Sequence, residues 1–303
     1  MKNPIVKLAL LLAPLLGGAL PAHAALKVLA TTPDWGALAT ELGGERVNVY
    51  VATTALQDVH RVEAKPSLVA RARTADLVVA TGAELEIGWL PVLIQESGNS
   101  HIQPGTPGNF EAASALRLLE VPSKLDRAMG DIHPQGNPHV QLDPHNIAAI
   151  AHALSARLAQ LEPAQAAFYA ARAKDFDARW AAAITRWESR AAPLKGAQVV
   201  IMHRDQAYLC HWLGLTEEAS IEPKPGVPPT AAYLGMLVGK LTSAPPKLIL
   251  LNAYNDAKAA NWLSERVHAP AVVLPFSVGG SPEAKDLFGL FDDTLDKLLA
   301  ANK

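Results

Sequence analysis

Cysteine is almost missing from this chain. Cys210 is the only one in 303 residues, which excludes an internal disulfide and leaves the redox compartment unmarked by cysteine pairing. It sits in QAYLCHWLGL among Tyr, Leu and Trp, a setting that predicts a packed core residue rather than a thiolate ligand. A basic excess is missing too. The chain has 27 Lys and Arg against 29 Asp and Glu, so it has no electrostatic footprint for nucleic acid. No apolar run approaches the ~20 residues that cross a bilayer. The H-E-x-x-H signature of a zinc protease helix does not occur. Internal repeats and low-complexity tracts are also absent.

What is present begins with a leader. MKNPIVK carries two lysines and no acid, LALLLAPLLGGAL is an apolar stretch of thirteen residues, and Ala22-His23-Ala24 has a small-x-small form. This pattern predicts a secretory signal peptide over residues 1–24, cleaved after Ala24. Thirteen residues broken by Pro14, Gly17 and Gly18 are too few for a membrane anchor. No cysteine stands at the cleavage point, so a lipoprotein is not expected, and the mature chain is expected in a bacterial periplasm.

After the leader, strand-like and helix-like runs alternate. LKVLATT (26–32), Val47–Val51, ADLVVAT (75–81), QVVIM (198–202), KLILL (247–251) and AVVL (271–274) read as strands. Helices are expected at about 35–42, 66–75, 83–96, 145–160, 208–213, 231–241, 256–268 and 287–299. Between the two groups of strands, Pro163 opens a helix that runs to about Ala192, with Phe168, Phe176, Trp180, Ile184 and Trp187 at helical spacing. About 29 residues at 1.5 Å each span roughly 44 Å, long enough to bridge two units. The fold class expected is α/β, with two lobes, each a mostly parallel sheet flanked by helices, joined by one long helix. The expected division is an N-terminal lobe over 25–160, a linking helix over 161–193 and a C-terminal lobe over 194–303.

Three histidines stand where such a fold puts ligands. Open α/β sheets bind beyond the carboxyl ends of their strands. His203 directly follows QVVIM, His60 follows the Val49–Thr53 run by a few residues, and His139 lies in a Gly/Pro loop before the helix near Pro144. A histidine at a strand end is ordinarily a hydrogen-bonded surface residue, so position alone does not make a site. Three imidazoles together would suit zinc, copper, iron or nickel better than manganese or magnesium, which prefer oxygen. Three nitrogens with a carboxylate or water complete a four-coordinate zinc site. His101, His145, His152, His211 and His268 are expected away from it.

The loops that carry these histidines resemble those of a known family. DVHRVEAKPS resembles the first metal loop of the substrate-binding proteins of zinc and manganese ABC importers (cluster A-I, ZnuA-like). NPHVQLDPHN is similar to the second loop and VVIMHRDQAYL to the third, while ADLVVATGAELEIGWLP resembles the segment between the first two. The resemblance implies two α/β lobes, a rigid interlobe helix and one metal in the cleft, held by His60 and His139 from the first lobe and His203 from the second. A histidine at position 203 matches the zinc-type members. The implied function is a high-affinity periplasmic carrier, not an enzyme, that delivers zinc as bound cargo to an ABC permease. A periplasmic metallochaperone is a second partner class; no nucleic acid partner is expected, and the chain is expected to be a monomer. The alternatives are a manganese- or iron-binding member of the family, a secreted zinc hydrolase, or a non-metal solute binder on the same scaffold.

Three departures from the family follow. The usual fourth ligand is an aspartate after the last strand, but VVLPFSVGG puts Pro275 there. Glu222, at a strand end before PKPGVPP, is taken as the fourth residue of the set, with Asp205, Asp256, His133 and water as the other choices. The His-rich acidic loop of many zinc members is reduced to His133, six residues before His139. Arg204 and Asp205 occupy positions where small residues are common. Neutral imidazoles must bind the metal, so affinity is expected to fall as pH drops through about 6.5.

Overall fold

The computed structural model describes residues 24–124, 130 and 133–302. The expected signal segment lies outside these residues, except for Ala24. Two four-stranded sheets form, and every pairing between their strands is parallel. In the first, β1 (Leu26–Ala30), β2 (Val47–Val51), β3 (Leu77–Ala80) and β4 (Asn109–Glu111) lie in the order β2-β1-β3-β4. In the second, β5 (Gln198–Ile201), β6 (Thr216–Ser220), β7 (Leu248–Asn252) and β8 (Ala271–Leu274) lie in the order β6-β5-β7-β8. The two lobes therefore repeat one topology. In each, the order reverses beside the first strand, where such sheets open a crevice at their carboxyl edge.

Helices cover both faces of the sheets, which is why β3 and β7 are buried at every position. α1 (Pro33–Gly43), α2 (Pro66–Arg73), α3 (Leu90–Ser97) and α4 (Pro144–Leu161) belong to the first lobe. α6 (Ala207–Leu213), α7 (Ala231–Thr242), α8 (Lys258–Val267) and α9 (Leu287–Ala301) belong to the second. Between them α5 runs over Ala166–Ala191, flanked by single 3-10 turns at Pro163–Gln165 and Ala192–Leu194. Its 26 residues span about 39 Å. One face is aromatic: Trp180 stacks on Phe176 at 5.1 Å and meets Trp187, Phe288 and Phe291 edge-on. The Trp180 indole donates to Pro144 O at 2.8 Å, tying α5 to the start of α4. A single core cluster runs from Val28 and Leu38 through α4 and α5 to Phe291 and Leu298, so the lobes share packing rather than merely a tether. Cys210 lies in that cluster, and burial pushes its thiol up to about 12.

Two local expectations need correction. The helix expected over 83–96 forms only over Leu90–Ser97. Ahead of it, Ala83 and Glu84 take φ of 49° and 65°. Glu86 turns back to accept the Thr81 and Gly82 amides at 2.8 and 3.1 Å and the Thr31 hydroxyl at 2.7 Å. A buried carboxylate thus takes up the backbone donors a helix would have used. One short strand, β4, was also unannounced by the sequence, and β6 was expected only as a strand end before Glu222. β4 hides in a Gly- and Pro-rich stretch, and β6 (TEEAS) is a half-buried edge strand without apolar alternation.

Candidate metal centre

The carboxyl edges of the two sheets face one cleft, and the three histidines meet in it. One ring nitrogen from each of His60, His139 and His203 lies within 4.8 Å of the other two. Ring centroids are 5.4 Å apart for His60 and His139, 6.0 Å for His60 and His203, and 5.7 Å for His139 and His203. His139 and His203 are 4% and 8% exposed. Two lobes contribute, so the cluster exists only while they face each other.

Each imidazole is oriented through its Nδ1. Asp58 Oδ1 accepts both the backbone N–H and the ring Nδ1 of His60, at 3.0 and 2.8 Å. Asn137 Oδ1 does the same for His139, at 3.0 and 2.9 Å. In both loops an Asx residue two positions ahead of the histidine closes a small ring that fixes backbone and imidazole together. His203 is held differently: its Nδ1 lies 2.6 Å from Glu222 Oε2, which also accepts the Gly226 amide at 2.9 Å. With every Nδ1 engaged, each Nε2 is the free edge turned to its neighbours, the arrangement by which proteins orient metal-binding imidazoles.

Neighbouring elements place these loops. The Trp89 indole donates to Val59 O at 2.9 Å, anchoring the His60 loop. Asn137 donates to Arg204 O at 2.8 Å and to Glu120 Oε2 at 2.9 Å. Tyr208 donates to Asn137 O and accepts the Leu119 amide, at 2.9 and 3.0 Å. The residue that aims His139 is therefore bonded directly to the loop that carries His203.

The electrostatics differ among the rings. Burial, with His60 and His203 as neighbours, holds His139 well below the usual histidine range. Burial does the same to His133, lowering it to about 4. For His203 burial works against the charge, but Asp205 and Glu222 outweigh it and lift the ring to about 9. Asp205 is fully buried, and burial raises its carboxyl to about 6. Its Oδ2 accepts from Tyr254 OH at 2.6 Å and from the Asn252 side chain, while Oδ1 has no hydrogen-bond partner.

The other residues considered for the site fall out as follows. His133 stands beside it: its Nε2 is 3.3 Å from His60 Nε2, and its ring lies 6.2 Å from that of His139. Glu222 lies on the Nδ1 edge of His203. Asp205 lies outside the close group of nitrogens, held by Tyr254 and Asn252. Asp256 is on the surface, capping α8 through the Lys258 amide at 3.0 Å. His145, His152 and His211 are exposed, beside Glu188, Asp177 and Asp143. The orienting residues Asp58, Asn137 and Trp89 were missed in the sequence. The Asx-x-His spacing of DVH and NPH was the signal for the first two, and Asp131-Ile132-His133 repeats it.

Two α/β lobes around a long helix, with clustered imidazoles in the cleft, are the build of a metal-binding protein, and comparison with known proteins agrees. The family model for the periplasmic component A of the zinc-uptake complex (ZnuA) matches residues 28–301. A curated relative, the high-affinity zinc uptake system protein ZnuA of Paracoccus denitrificans, is 24% identical, covering 95% of this chain and 94% of its own length. A crystal structure of ZnuA superposes with a TM-score of 0.76 at 20% identity, covering 92% of this chain and 100% of that one. A cadmium-bound periplasmic metal binding protein from candidatus liberibacter asiaticus superposes with a TM-score of 0.75 at 18% identity and the same coverage. This chain belongs to the family of periplasmic zinc-uptake components.

Proposed function

We propose that this protein captures one zinc ion between its lobes in the periplasm and delivers it to an ABC permease in the membrane. The observation that carries the reading is the convergence of three imidazole nitrogens from both lobes within 4.8 Å, each ring fixed through its other nitrogen. Imidazole nitrogen favours zinc over manganese. The cavity beside His60 and His139 has a volume of about 20 Å³, room for an ion or one water but not for an organic solute.

In this reading His60, His139 and His203 bind the ion through Nε2, and His133 supplies the fourth nitrogen. Two nitrogens on one tetrahedral zinc, each at about 2.0–2.1 Å, are roughly 3.3–3.4 Å apart. The Nε2 atoms of His60 and His133 already stand at 3.3 Å. At that distance a proton or a cation must lie between them. Glu222 then serves as the hydrogen-bond acceptor that orients His203, not as a ligand. A carrier needs a closed site, whereas a hydrolase needs a metal-bound water beside a free general base. Asp58 and Glu222, the carboxylates bonded to the cluster, are both engaged by imidazoles, and Asp205 beyond them is held by Tyr254 and Asn252.

The test is zinc titration of the mature chain against a chromophoric chelator. One equivalent should bind tightly, and His203→Ala should lose it. Retention of tight zinc by His203→Ala would remove the two-lobe site.

A further inference from the structure

The loop after β8 carries Phe276 into the metal cleft in a conformation that phenylalanine rarely adopts. Its φ is +65°, a left-handed backbone that a bulky side chain holds only when its surroundings enforce it. The enforcement comes from the other lobe. Asp34, in the first turn of α1 and 1% exposed, accepts the Ser277 hydroxyl at 2.7 Å and the Val278 amide at 3.0 Å, one on each carboxylate oxygen. The loop is tightened further by Ser277 N–H to Pro275 O at 2.8 Å and Gly280 N–H to Ser277 O at 2.9 Å. Gly280 is required there, because a Cβ would come within 1.9 Å of Pro275 O.

The result is a fixed apolar wall. The Phe276 ring is 7% exposed, 6.0 Å from the His139 ring and 5.3 Å from the Tyr254 ring. With Asp34, Asp58, His60 and His139 it lines the small cavity. Of the two carboxylates on that lining, Asp34 uses both oxygens on residues 277 and 278, while Asp58 holds His60 through Oδ1 and faces Arg61 Nε with Oδ2 at 3.8 Å. Next to Phe276, the Asp34 carboxylate therefore has no free oxygen to offer the ion.

We infer that Phe276, latched in place by Asp34 across the cleft, is a specificity-determining residue that rejects oxygen-preferring cations by walling one side of the site with hydrocarbon. The inference rests on the metal-site reading above. Manganese and magnesium need oxygen donors or retained water to offset their desolvation, while zinc is satisfied by imidazole nitrogen. A phenyl ring on one flank supplies no oxygen donor and gives a retained water no hydrogen-bond partner there.

The experiment is a competitive titration of zinc and manganese on the full mature chain carrying Phe276→Asp, with Asp34→Asn as a second variant. Aspartate tolerates positive φ better than phenylalanine, so Phe276→Asp keeps the turn while placing a carboxylate at the wall. It should still bind one zinc and should shift the zinc-to-manganese affinity ratio toward manganese by about tenfold or more. Asp34→Asn should shift the ratio the same way and release zinc faster in stopped flow. If Phe276→Asp fails to fold, Phe276→Gly relieves the left-handed strain, opens the flank to water and carries the same expectation. A folded variant whose ratio stays within about twofold of wild type overturns the inference. Failure of the underlying reading looks different: the wild-type chain would bind no stoichiometric zinc, or His203→Ala would keep it.

Discussion

Glu222 Oε2 lies 2.6 Å from His203 Nδ1 and is itself fixed by the Gly226 amide. The strand-end acid and the strand-end histidine of the second lobe therefore form one unit, in which the carboxylate aims the ring and strengthens its basicity. Replacing an orienting partner weakens a metal site without abolishing it. Glu222→Gln should cost about 10–100-fold in zinc affinity and keep a stoichiometry of one, while His203→Ala should lose the ion. Chelator competition on both variants separates the roles. Equal loss in the two would make Glu222 a ligand.

Binding should release a proton from His203. Its pKa is lifted to about 9, so at neutral pH the empty site carries a charge that the cation must displace. The sign follows: affinity rises with pH up to about 9 and falls below it, by about tenfold per pH unit for one exchanged proton. His139 and His133 are held below the ordinary histidine range and are already neutral at pH 7.5. The window thus lies higher than the value near 6.5 that unperturbed imidazoles suggest. Calorimetry at pH 7.5 in buffers of different ionisation enthalpy should read about one proton released per zinc. A buffer-independent heat would contradict it.

His133 should be a ligand with a smaller energetic share than the other three. It sits outside the close triad, and burial already favours its neutral form. His133→Ala should keep zinc but weaken it by about tenfold, with water replacing nitrogen in the coordination shell. X-ray absorption at the zinc edge should show one fewer nitrogen neighbour in the variant. An unchanged spectrum would place His133 outside the shell.

The linking helix should matter for stability rather than for binding chemistry. Trp180 is 1% exposed and packs among Phe176, Trp187, Phe288 and Phe291 while bonding Pro144 O. Trp180→Ala removes a large buried ring and its hydrogen bond and should cost about 3–5 kcal/mol. Denaturant melts should show this loss, with zinc stoichiometry unchanged in the folded protein.

The parts of this architecture that depend on local pattern were legible in the sequence. Positions after strands for His60 and His203, and in the loop before a helix for His139, placed the three on one edge, and the aromatic period of Phe176, Trp180 and Trp187 disclosed the linking helix. What depends on distant pairing was not. The contact between Asp34 and Ser277 spans 243 residues, and neither residue carries a local signal of it. The meeting of Glu222 with His203 depends on β6 lying beside β5, and the polar sequence of β6 carries no signal of which strand it pairs with. The shortened helix before Leu90 depends on Glu86 folding back onto Thr81, a choice of hydrogen-bond partner that periodicity does not register.

The central claim is that both lobes grip one zinc ion through imidazole nitrogen alone. A crystal structure of the zinc-loaded mature protein, with anomalous data at the zinc edge, tests it most directly. It should show one ion bound by Nε2 of His60, His133, His139 and His203 at about 2.0–2.1 Å, with Glu222 on Nδ1 of His203 and no carboxylate oxygen in the shell. An ion held by an oxygen of Glu222 or Asp205, or bound within a single lobe, would contradict the account.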